Sequence, residues 1–344
     1  MDWTRNRKIM DNVLQSIGLT PIIRLSKVAA GVKPQVLVKL EYTNPSGSLK
    51  DRIVYNIVEE AEKRGELTPG MILMEGTTGN TGIATAMVGA AKGYKVVIVM
   101  PEGMSDERKK TIRAYGAELV LTPGAETDVD LVLEEVARQR DKYGDKVFEV
   151  GQFIRPENVN AHYYNTGPEI WEQTDGQVDI LVMCQGTGGT VTGTARFLKE
   201  KNPNLKVFIS EPLESPILAE GKIGQHKVQG IADGLIPEIL RFDLIDGIIQ
   251  VHSDEAMETA REMARKEGIF CGTSSGCNVA AAIKAAENFP DARMVVTLVN
   301  DNGLRYLSTE LCGTPQDRKM LDRDYKLSEE DQAKLKARNF LIIK

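Results

Sequence analysis

A lysine at the junction of a loop and a helix is the residue in this sequence best suited to covalent chemistry. Lys50 follows the run Asn-Pro-Ser-Gly-Ser-Leu at residues 44–49, whose proline and glycine are typical of a turn. Apolar residues at helical spacing predict a helix over residues 49–63. The positive end of that helix's dipole favours a neutral amine, and a lysine with a lowered pKa can form a Schiff base with an aldehyde cofactor. The alternative is an ordinary surface lysine beside Asp51.

A first glycine-rich loop, Glu-Gly-Thr-Thr-Gly-Asn-Thr-Gly, occupies residues 75–82. The pattern predicts a strand at 71–74 before it, a small-residue helix at 83–92 after it and a second strand at 95–100. The loop therefore lies at the carboxyl end of a parallel strand, where open sheets bind their ligands. Its threonine hydroxyls, amide and exposed backbone N–H groups suit a carboxylate or a phenolic oxygen. The alternative is a plain tight connection.

A second glycine-rich segment follows a predicted strand at 179–185 and precedes a predicted helix from about Thr190 to Lys201. Backbone N–H groups at a helix start, with no side chains in the way, form a cup for a phosphate. The segment contains no basic residue, and it matches neither the dinucleotide-binding nor the P-loop pattern. We call it the phosphate cup; it consists of Gly186, Thr187, Gly188, Gly189 and Thr190.

These segments together resemble the fold-type II pyridoxal-phosphate enzymes, and more narrowly the cysteine synthases (O-acetylserine sulfhydrylases), with the cystathionine β-synthases close behind. The resemblance covers roughly residues 12 to 312, nearly the whole chain. Further motifs that carry it are Thr-Gly-Pro-Glu-Ile-Trp at 166–171, Gln-Gly-Ile at 229–231, Gly-Thr-Ser-Ser-Gly at 272–276 and Arg-Tyr-Leu-Ser at 305–308.

The resemblance implies pyridoxal 5'-phosphate as the cofactor and gives roles to matching residues. Lys50 would bind the cofactor covalently and move the Cα proton, Asn80 would contact its phenolic oxygen, and the phosphate cup would bind its phosphate. Ser274 would face the pyridine nitrogen, where a neutral partner disfavours a long-lived carbanion and favours loss of a β-leaving group. The alternative for Ser274 is a cap before the alanine-rich helix predicted over residues 277–288. The substrate carboxylate would be held by Thr77, Thr78, Gly79, Thr81 and Gln152.

The implied activity is β-replacement on a serine- or cysteine-type amino acid through an aminoacrylate intermediate, with O-acetylserine and sulfide giving cysteine. Asp233 departs from the family, which usually has a small or aromatic residue at this position. A carboxylate there can act as a general base on water, so a second hypothesis is a lyase that converts cysteine to serine and sulfide. Cystathionine β-synthase activity is a third. Asp233 can also point outward or cap a turn.

Two further departures are milder: Thr78 stands where the family usually has serine, and Leu304 where it has an acidic or polar residue. A non-enzymatic protein that only binds a partner is the remaining alternative. The combination of Lys50, Asn80 and Ser274 argues against it.

Strands and helices alternate along the chain, which predicts an α/β fold with parallel sheets flanked by helices. The resemblance implies the two-lobed, tryptophan synthase β-like architecture of fold-type II. We expect residues 48–154 to form a smaller, mobile lobe, and residues 1–47 and 155–344 to form the larger one. The apolar residues 340–343 are expected to dock on the chain's own large lobe or across a dimer contact.

Bulk properties narrow the partners. The chain has 344 residues, a net charge of −6 and a pI of about 5.4, so we expect no nucleic-acid partner. Its apolar runs are too short for a membrane span, and its polar start predicts no signal peptide. Four cysteines without a Cys-x-x-Cys pair indicate a reducing cytoplasm, with Cys271 and Cys277 buried and inert. Three histidines without ligand spacing predict no metal site. The expected assembly is a homodimer that binds a small amino acid with sulfide or water.

Overall fold

A computed structural model of the protein describes residues 1–125, 128–313, 326–336, 338 and 340–344. The strands of this part of the chain form two sheets, which confirms the predicted α/β class. The strands are β1 Ile22–Arg24, β2 Gln35–Leu40, β3 Ile72–Gly76, β4 Lys95–Pro101, β5 Glu118–Thr122, β6 Val147–Glu149, β7 Ile180–Cys184, β8 Lys206–Pro212, β9 Gly247–Val251, β10 Met294–Val299 and β11 Leu341–Ile343.

Helices connect most of these strands and cover the sheets. The fifth helix leads into a π-helical turn at His162–Thr166, and the ninth into another at Met263–Glu267. The α-helices are α1 Lys50–Arg64, α2 Asn80–Lys92, α3 Asp106–Ala114, α4 Val129–Tyr143, α5 Pro156–Ala161, α6 Gly167–Gln173, α7 Gly189–Lys201, α8 Ile217–Glu220, α9 Ser253–Glu262, α10 Thr273–Asn288 and α11 Glu329–Lys336.

The larger sheet has the strand order β1-β2-β10-β7-β8-β9-β11 in the described residues. Its neighbours run parallel, with one exception: β1 pairs antiparallel with β2, Ile23 lying opposite Val38. The alternation pattern predicted parallel sheets, and this short edge strand departs from it. The central strands are apolar on both faces because helices cover both sides, as buried parallel sheets require.

The second sheet is parallel throughout, in the order β5-β4-β3-β6. All four of its strands come from residues 72–149, within the span expected for the smaller lobe. Its core is a separate cluster in which Ile53, Ile57 and Ile83 of the helices pack against Leu73 and Ile98 of the strands. The lobe boundaries at residues 48 and 154, and the mobility of the smaller lobe, stay predictions.

Helix starts are where sequence and structure differ most. The structure begins α2 at Asn80 rather than Ile83, and α10 at Thr273 rather than Cys277. Tertiary packing accounts for the second difference: a Cβ on Gly276 would lie 1.9 Å from the Ala256 carbonyl oxygen, so glycine allows α10 and α9 to approach closely. Helix propensity depends on neighbouring residues in the sequence, so it does not predict a contact between two helices.

The C-terminal residues pack on the chain's own large sheet. β11 extends that sheet by pairing in parallel with β9, Ile342 lying opposite Ile248. This is the first of the two docking modes expected from the sequence. The tail that begins at about residue 315 lies partly outside the described residues, since residues 314–325 are not among them. Among the described helices, none has the length and apolar character needed to cross a membrane.

Candidate active site

Lys50 is the first residue of α1, and it lies at the carboxyl end of the large sheet. Neighbouring Asp51 does not pair with it: the Asp51 carboxylate accepts a hydrogen bond of 2.6 Å from the Ser46 backbone N–H. Burial lowers the pKa of the Lys50 amine, and the negative charge of Asp233 offsets part of that effect. Burial therefore shifts the Lys50 amine towards the neutral form that the sequence analysis expected.

A buried ion network fixes the start of α1. The Arg52 guanidinium lies 2.7 Å from Glu41 and 2.6 Å from Glu169, and Lys39 lies 2.8 Å from Glu169. All four side chains are almost completely buried, so removal of one would leave an uncompensated charge. Since Arg52 is two residues from Lys50, this network sets the position of the lysine.

The phosphate cup lies between β7 and α7. Gly188 has φ of +77°, in the left-handed region that glycine adopts without strain. The first N–H groups of a helix have no intrahelical partner, so the start of α7 offers donors to an anion. Gly189 is the first residue of α7, and a Cβ there would lie 2.0 Å from the Asn158 side-chain oxygen; its place in the phosphate cup stays a prediction. Its missing side chain makes room for Asn158.

Two side chains that the sequence analysis missed orient the hydroxyls of the cup. Asn158 donates hydrogen bonds to the Thr187 hydroxyl, at 3.0 Å, and to the Gln152 carbonyl, at 2.8 Å. The Nε2 atom of His162 lies 3.1 Å from the Thr190 hydroxyl. Burial lowers the pKa of His162 to about 3, so the ring is neutral near pH 7 and adds no charge to the cup.

The loop after β3 is tied to the loop after β6. The Thr77 hydroxyl accepts a hydrogen bond of 3.0 Å from the Gly79 N–H. The Thr81 hydroxyl donates to Gln152 at 2.5 Å, and the Gln152 amide donates to the Gly76 carbonyl at 3.4 Å. The residues predicted to hold the substrate carboxylate therefore form one connected group of polar atoms.

Asn80 begins α2 with its amide fixed on both sides. Its nitrogen donates to Asp301 at 2.7 Å, and its oxygen accepts a hydrogen bond from Arg305. Both partners follow β10 in the large sheet. The amide is thereby held at the boundary between the two sheets, facing the same cavity as Lys50.

Ser274 lies in the first turn of α10, and the residue that caps this helix is Gly272. The structure therefore contradicts the helix-cap interpretation of Ser274. Its hydroxyl accepts a hydrogen bond of 3.1 Å from Asn300, a residue that sequence analysis missed. Since the Ser274 oxygen accepts from Asn300, its own proton remains available to an acceptor such as an unprotonated ring nitrogen.

Two adjoining cavities collect the predicted site residues, Gly189 excepted. Both are lined by Lys50, Asn80, Gly186, Thr187 and Gly230. The first cavity is lined in addition by the predicted carboxylate-binding residues and Asp233, namely Thr77, Thr78, Gly79, Thr81, Gln152 and Asp233. The second is lined in addition by Gly188, Thr190 and Ser274. An amine, an anion cup and a neutral hydroxyl around one cavity fit a phosphorylated pyridine aldehyde.

Asp233 is buried, with 7% of its surface exposed, and it lines the first cavity. The structure therefore contradicts the interpretation that it points outward. Of the carboxylates that act on the Lys50 amine, Asp233 has the largest effect on the lysine's pKa. A carboxylate this close to the reacting region is suitably placed to orient or deprotonate a nucleophile.

Arg108 is a further buried side chain in the wall of the first cavity, and sequence analysis did not select it. Its guanidinium donates to Gln229 and lies 4.6 Å from the Tyr306 ring centroid. It extends along the backbone at Gly79, where a Cβ would lie 2.3 Å from the Arg108 side chain. Arg108 belongs to an otherwise charged helix, α3, whose sequence resembles a solvated surface.

Glu75 ends β3 beneath the substrate loops and is 2% exposed. Its carboxyl accepts a hydrogen bond of 2.8 Å from the Gly151 N–H, next to Gln152. Burial, with the nearby Glu149 carboxylate, raises the pKa of Glu75 to about 8. The native state therefore binds a proton that the unfolded state releases near pH 4.5. The stability contributed by this group is fully present below pH 4.5 and is lost as pH rises through 8.

Replacement of Glu75 by Gln should remove this dependence, because the amide accepts the same hydrogen bond without titrating. The advantage of Glu75→Gln over the wild type in free energy of unfolding should grow between about pH 5 and about pH 8. Urea denaturation across that range measures it. Parallel stability curves for the two proteins would contradict the assignment.

Comparison with known proteins agrees with the fold and the site. Residues 13–301 match the model of the family described as pyridoxal-phosphate dependent enzyme. A cysteine synthase from Staphylococcus aureus is 45% identical over 306 residues, covering 89% of this chain and 98% of the relative. The structure of a cysteine synthase from Entamoeba histolytica superposes with a TM-score of 0.85 at 42% identity, covering 91% of this chain and 94% of that one.

A third similar protein is a hydrogen sulfide-producing enzyme from Fusobacterium nucleatum. Its structure gives a TM-score of 0.83 at 40% identity, covering 87% of this chain and 100% of that one. The α/β fold, the cavity and these matches agree: the chain belongs to the family of pyridoxal-phosphate dependent enzymes. Within that family it is an enzyme of the cysteine synthase type.

Proposed function

We propose that the protein is an O-acetylserine sulfhydrylase, which replaces the acetate of O-acetylserine with sulfide to give cysteine. The observation that carries the proposal is a pair of adjoining cavities that share the Lys50 amine. The second is bordered by residues of the phosphate cup, and the first by the polar group around Thr81 and Gln152. These provide, in order, a covalent anchor, an anion site and a place for a substrate carboxylate. The two cysteine synthases named above support the same reaction.

We propose that Lys50, Asn80, Ser274 and the phosphate cup hold the cofactor. Pyridoxal phosphate supplies, when bound, the electron sink for bond breaking at the Cα and Cβ atoms of an amino acid. Lys50, whose pKa is lowered by burial, would take the Cα proton and later return it. The neutral Ser274 hydroxyl leaves the ring nitrogen unprotonated, which favours departure of the β-substituent.

The loop residues orient the substrate through its carboxylate, and they do not activate the nucleophile. Thr77 and Thr78 offer hydroxyl protons to the substrate carboxylate. The Gly79 N–H and the Thr81 hydroxyl, which donate to Thr77 and Gln152 in this structure, would exchange these partners for the carboxylate when substrate binds. Gln152 supports the Thr81 hydroxyl from the neighbouring loop. Hydrosulfide is already an anion, so its attack on the β-carbon requires no general base.

Asp233 favours a second candidate function, the release of sulfide from cysteine with formation of serine. Water is a weak nucleophile and gains from a base, and Asp233 is a buried carboxylate in the wall of the substrate cavity. The hydrogen sulfide-producing similar structure agrees with this direction. The relatives named above favour sulfhydrylase activity over cystathionine β-synthase activity.

One pair of assays on the cofactor-loaded protein tests the proposal. With O-acetylserine and sulfide, we expect sulfide to disappear while cysteine and acetate form in equal amounts. With cysteine alone, the second candidate predicts release of sulfide and equal formation of serine. An enzyme that makes cysteine in the first assay and is slow in the second is a sulfhydrylase; the reverse ratio would reject that assignment.

We also propose a homodimer that acts in the cytoplasm, with closure of the smaller lobe (residues 48–154) over the bound amino acid. The cytoplasmic proposal rests on four cysteines that are all free in the structure. Burial raises the pKa of the thiols of Cys271 and Cys277, which supports the expectation that both are inert.

A further inference from the structure

The loop that carries Asp233 has an unusual backbone. Gly230, Ala232 and Gly234 have φ of +86°, +54° and +84°, so left-handed residues alternate with others through the segment. Ala232 has a side chain, and the left-handed conformation is strained for a residue other than glycine. A strained segment of this kind persists when contacts on both sides hold it.

On the cavity side, the loop is held by the strand that ends in the phosphate cup. The Ala232 N–H donates to the Gln185 carbonyl at 3.1 Å, and the Ala232 carbonyl lies 3.4 Å from the His226 ring nitrogen. These contacts connect the residue before Asp233 with the cofactor region. These contacts do not involve the residues that follow Asp233.

On the opposite side, the loop is held by α11. The Asp331 carboxylate accepts a hydrogen bond of 3.4 Å from the Ile236 backbone N–H, three residues after Asp233. Leu327 precedes α11 and packs in the same buried cluster as Ala232, Ile236 and Leu240. Asp331 itself is 8% exposed, which is unusual for a carboxylate on a charged helix.

Asp331 is in turn held in place. The Ser328 hydroxyl accepts a hydrogen bond of 3.1 Å from the Asp331 N–H, and Lys334 lies 2.9 Å from the Asp331 carboxylate. Beyond α11, Phe340 packs against Phe242 with 5.8 Å between ring centroids, and β11 joins the large sheet. This C-terminal helix and strand lie outside the residues that match the family model.

We infer that Asp331 is a positioning residue for the active site: through the Ile236 N–H it holds the loop that presents Asp233 to the substrate. The inference rests on the proposed function in so far as Asp233 faces the reacting amino acid. It assigns the C-terminal helix a role in the geometry of the cavity. Loss of the Asp331 carboxylate frees the second half of the loop while leaving Asp233 itself in the chain.

The test uses the cofactor-loaded full chain and five variants, one of which is a double variant. Asp331→Ala removes the acceptor, and Asp331→Asn keeps an oxygen that can accept from Ile236. Glu330→Ala is the matched control, since Glu330 shares the Lys334 partner and is exposed. Asp233→Asn, alone and combined with Asp331→Ala, completes a double-mutant cycle.

Two readouts are needed. The first is hydrogen exchange of the peptide covering residues 230–240, which does not depend on the reaction. It should speed up about tenfold in Asp331→Ala, the loss expected for one hydrogen bond, and stay unchanged in Glu330→Ala. The second is kcat/KM for serine formation from cysteine, the reaction assigned to Asp233, which is expected to fall about three- to tenfold in Asp331→Ala and to recover in Asp331→Asn.

In the Asp233→Asn background, Asp331→Ala should change kcat/KM by less than about twofold. Asp331 affects the reaction only by positioning the Asp233 carboxylate, which this background lacks. Equal effects in both backgrounds would overturn the inference, and so would unchanged exchange in Asp331→Ala. If the wild type turned over neither O-acetylserine nor cysteine, the proposed function would fail. The exchange experiment, with apparent affinity for cysteine read from the cofactor's absorbance, would still decide the role of Asp331.

Discussion

Replacement of Lys50 by Ala is expected to abolish turnover while the fold stays intact. The change removes both the covalent anchor of the cofactor and the base at the Cα atom, and loss of a general base alone costs roughly 10²–10⁴ in rate. We therefore expect activity to fall by at least about 10³-fold. The Lys50 side chain lies in the cavity wall rather than in the core, so the melting temperature should change little.

Lys63→Ala is the matched control, since Lys63 lies on the same helix and its side chain is 64% exposed. Activity is measured as cysteine formation from O-acetylserine and sulfide, with the melting temperature of each variant determined in parallel. Activity of Lys50→Ala within tenfold of the wild type would show that another amine does this chemistry. A fully active Lys63→Ala would confirm that the effect belongs to the site.

Replacement of Asp233 by Asn should separate the two candidate reactions. If Asp233 activates water, serine formation from cysteine should fall by about 10²–10⁴, the range for loss of a general base. Cysteine formation from O-acetylserine should change far less, because hydrosulfide attacks as an anion. Loss of the nearby carboxylate lowers the pKa of the Lys50 amine further, which does not favour the charged form, so the proton transfers of the lysine should survive.

Both rates are measured on the same preparations, with Asp243→Asn as control, since the Asp243 side chain is 53% exposed and pairs with Arg241. A fall confined to serine formation supports water activation by Asp233. Unchanged rates in both assays would assign Asp233 a structural role, and the sulfhydrylase would remain without a hydrolytic side reaction.

The parts of the site that local sequence predicts are those built from consecutive residues. Lys50 and the phosphate cup were found because a turn, a helix start and a glycine run are visible within ten residues. Their supports were missed because the contacts cross the chain: Asn158 reaches Thr187 over 29 positions, and Arg108 reaches Gln229 over 121. Neither residue type stands out in its own helix.

Gly189 and Ser274 show which details a correct motif does not predict. The missing side chain of Gly189 makes room for Asn158, and the glycine run itself does not indicate this contact. Ser274 resembled a helix cap because the alanine run suggested a later helix start. Close packing of α10 on α9 at Gly276 stabilises an earlier start, and such packing overrides local propensity.

The C-terminal segment shows the same limit. Its apolar residues predicted docking but not the partner, because a short strand pairs as well with its own sheet as with a second copy. The structure pairs it with β9 and thereby brings Asp331 to the Asp233 loop, 95 positions away from Ile236. A contact of that range leaves no local trace in the sequence.

The assignment of Lys50 as the covalent anchor is tested by finding where the cofactor is attached to the chain. The protein loaded with pyridoxal phosphate is reduced with borohydride, digested, and analysed by mass spectrometry. We expect one phosphopyridoxyl group, on the peptide that contains Lys50, and none on the same peptide of Lys50→Ala. A label on a different lysine of the wild type, or a protein that binds the cofactor without any reducible attachment, would contradict it.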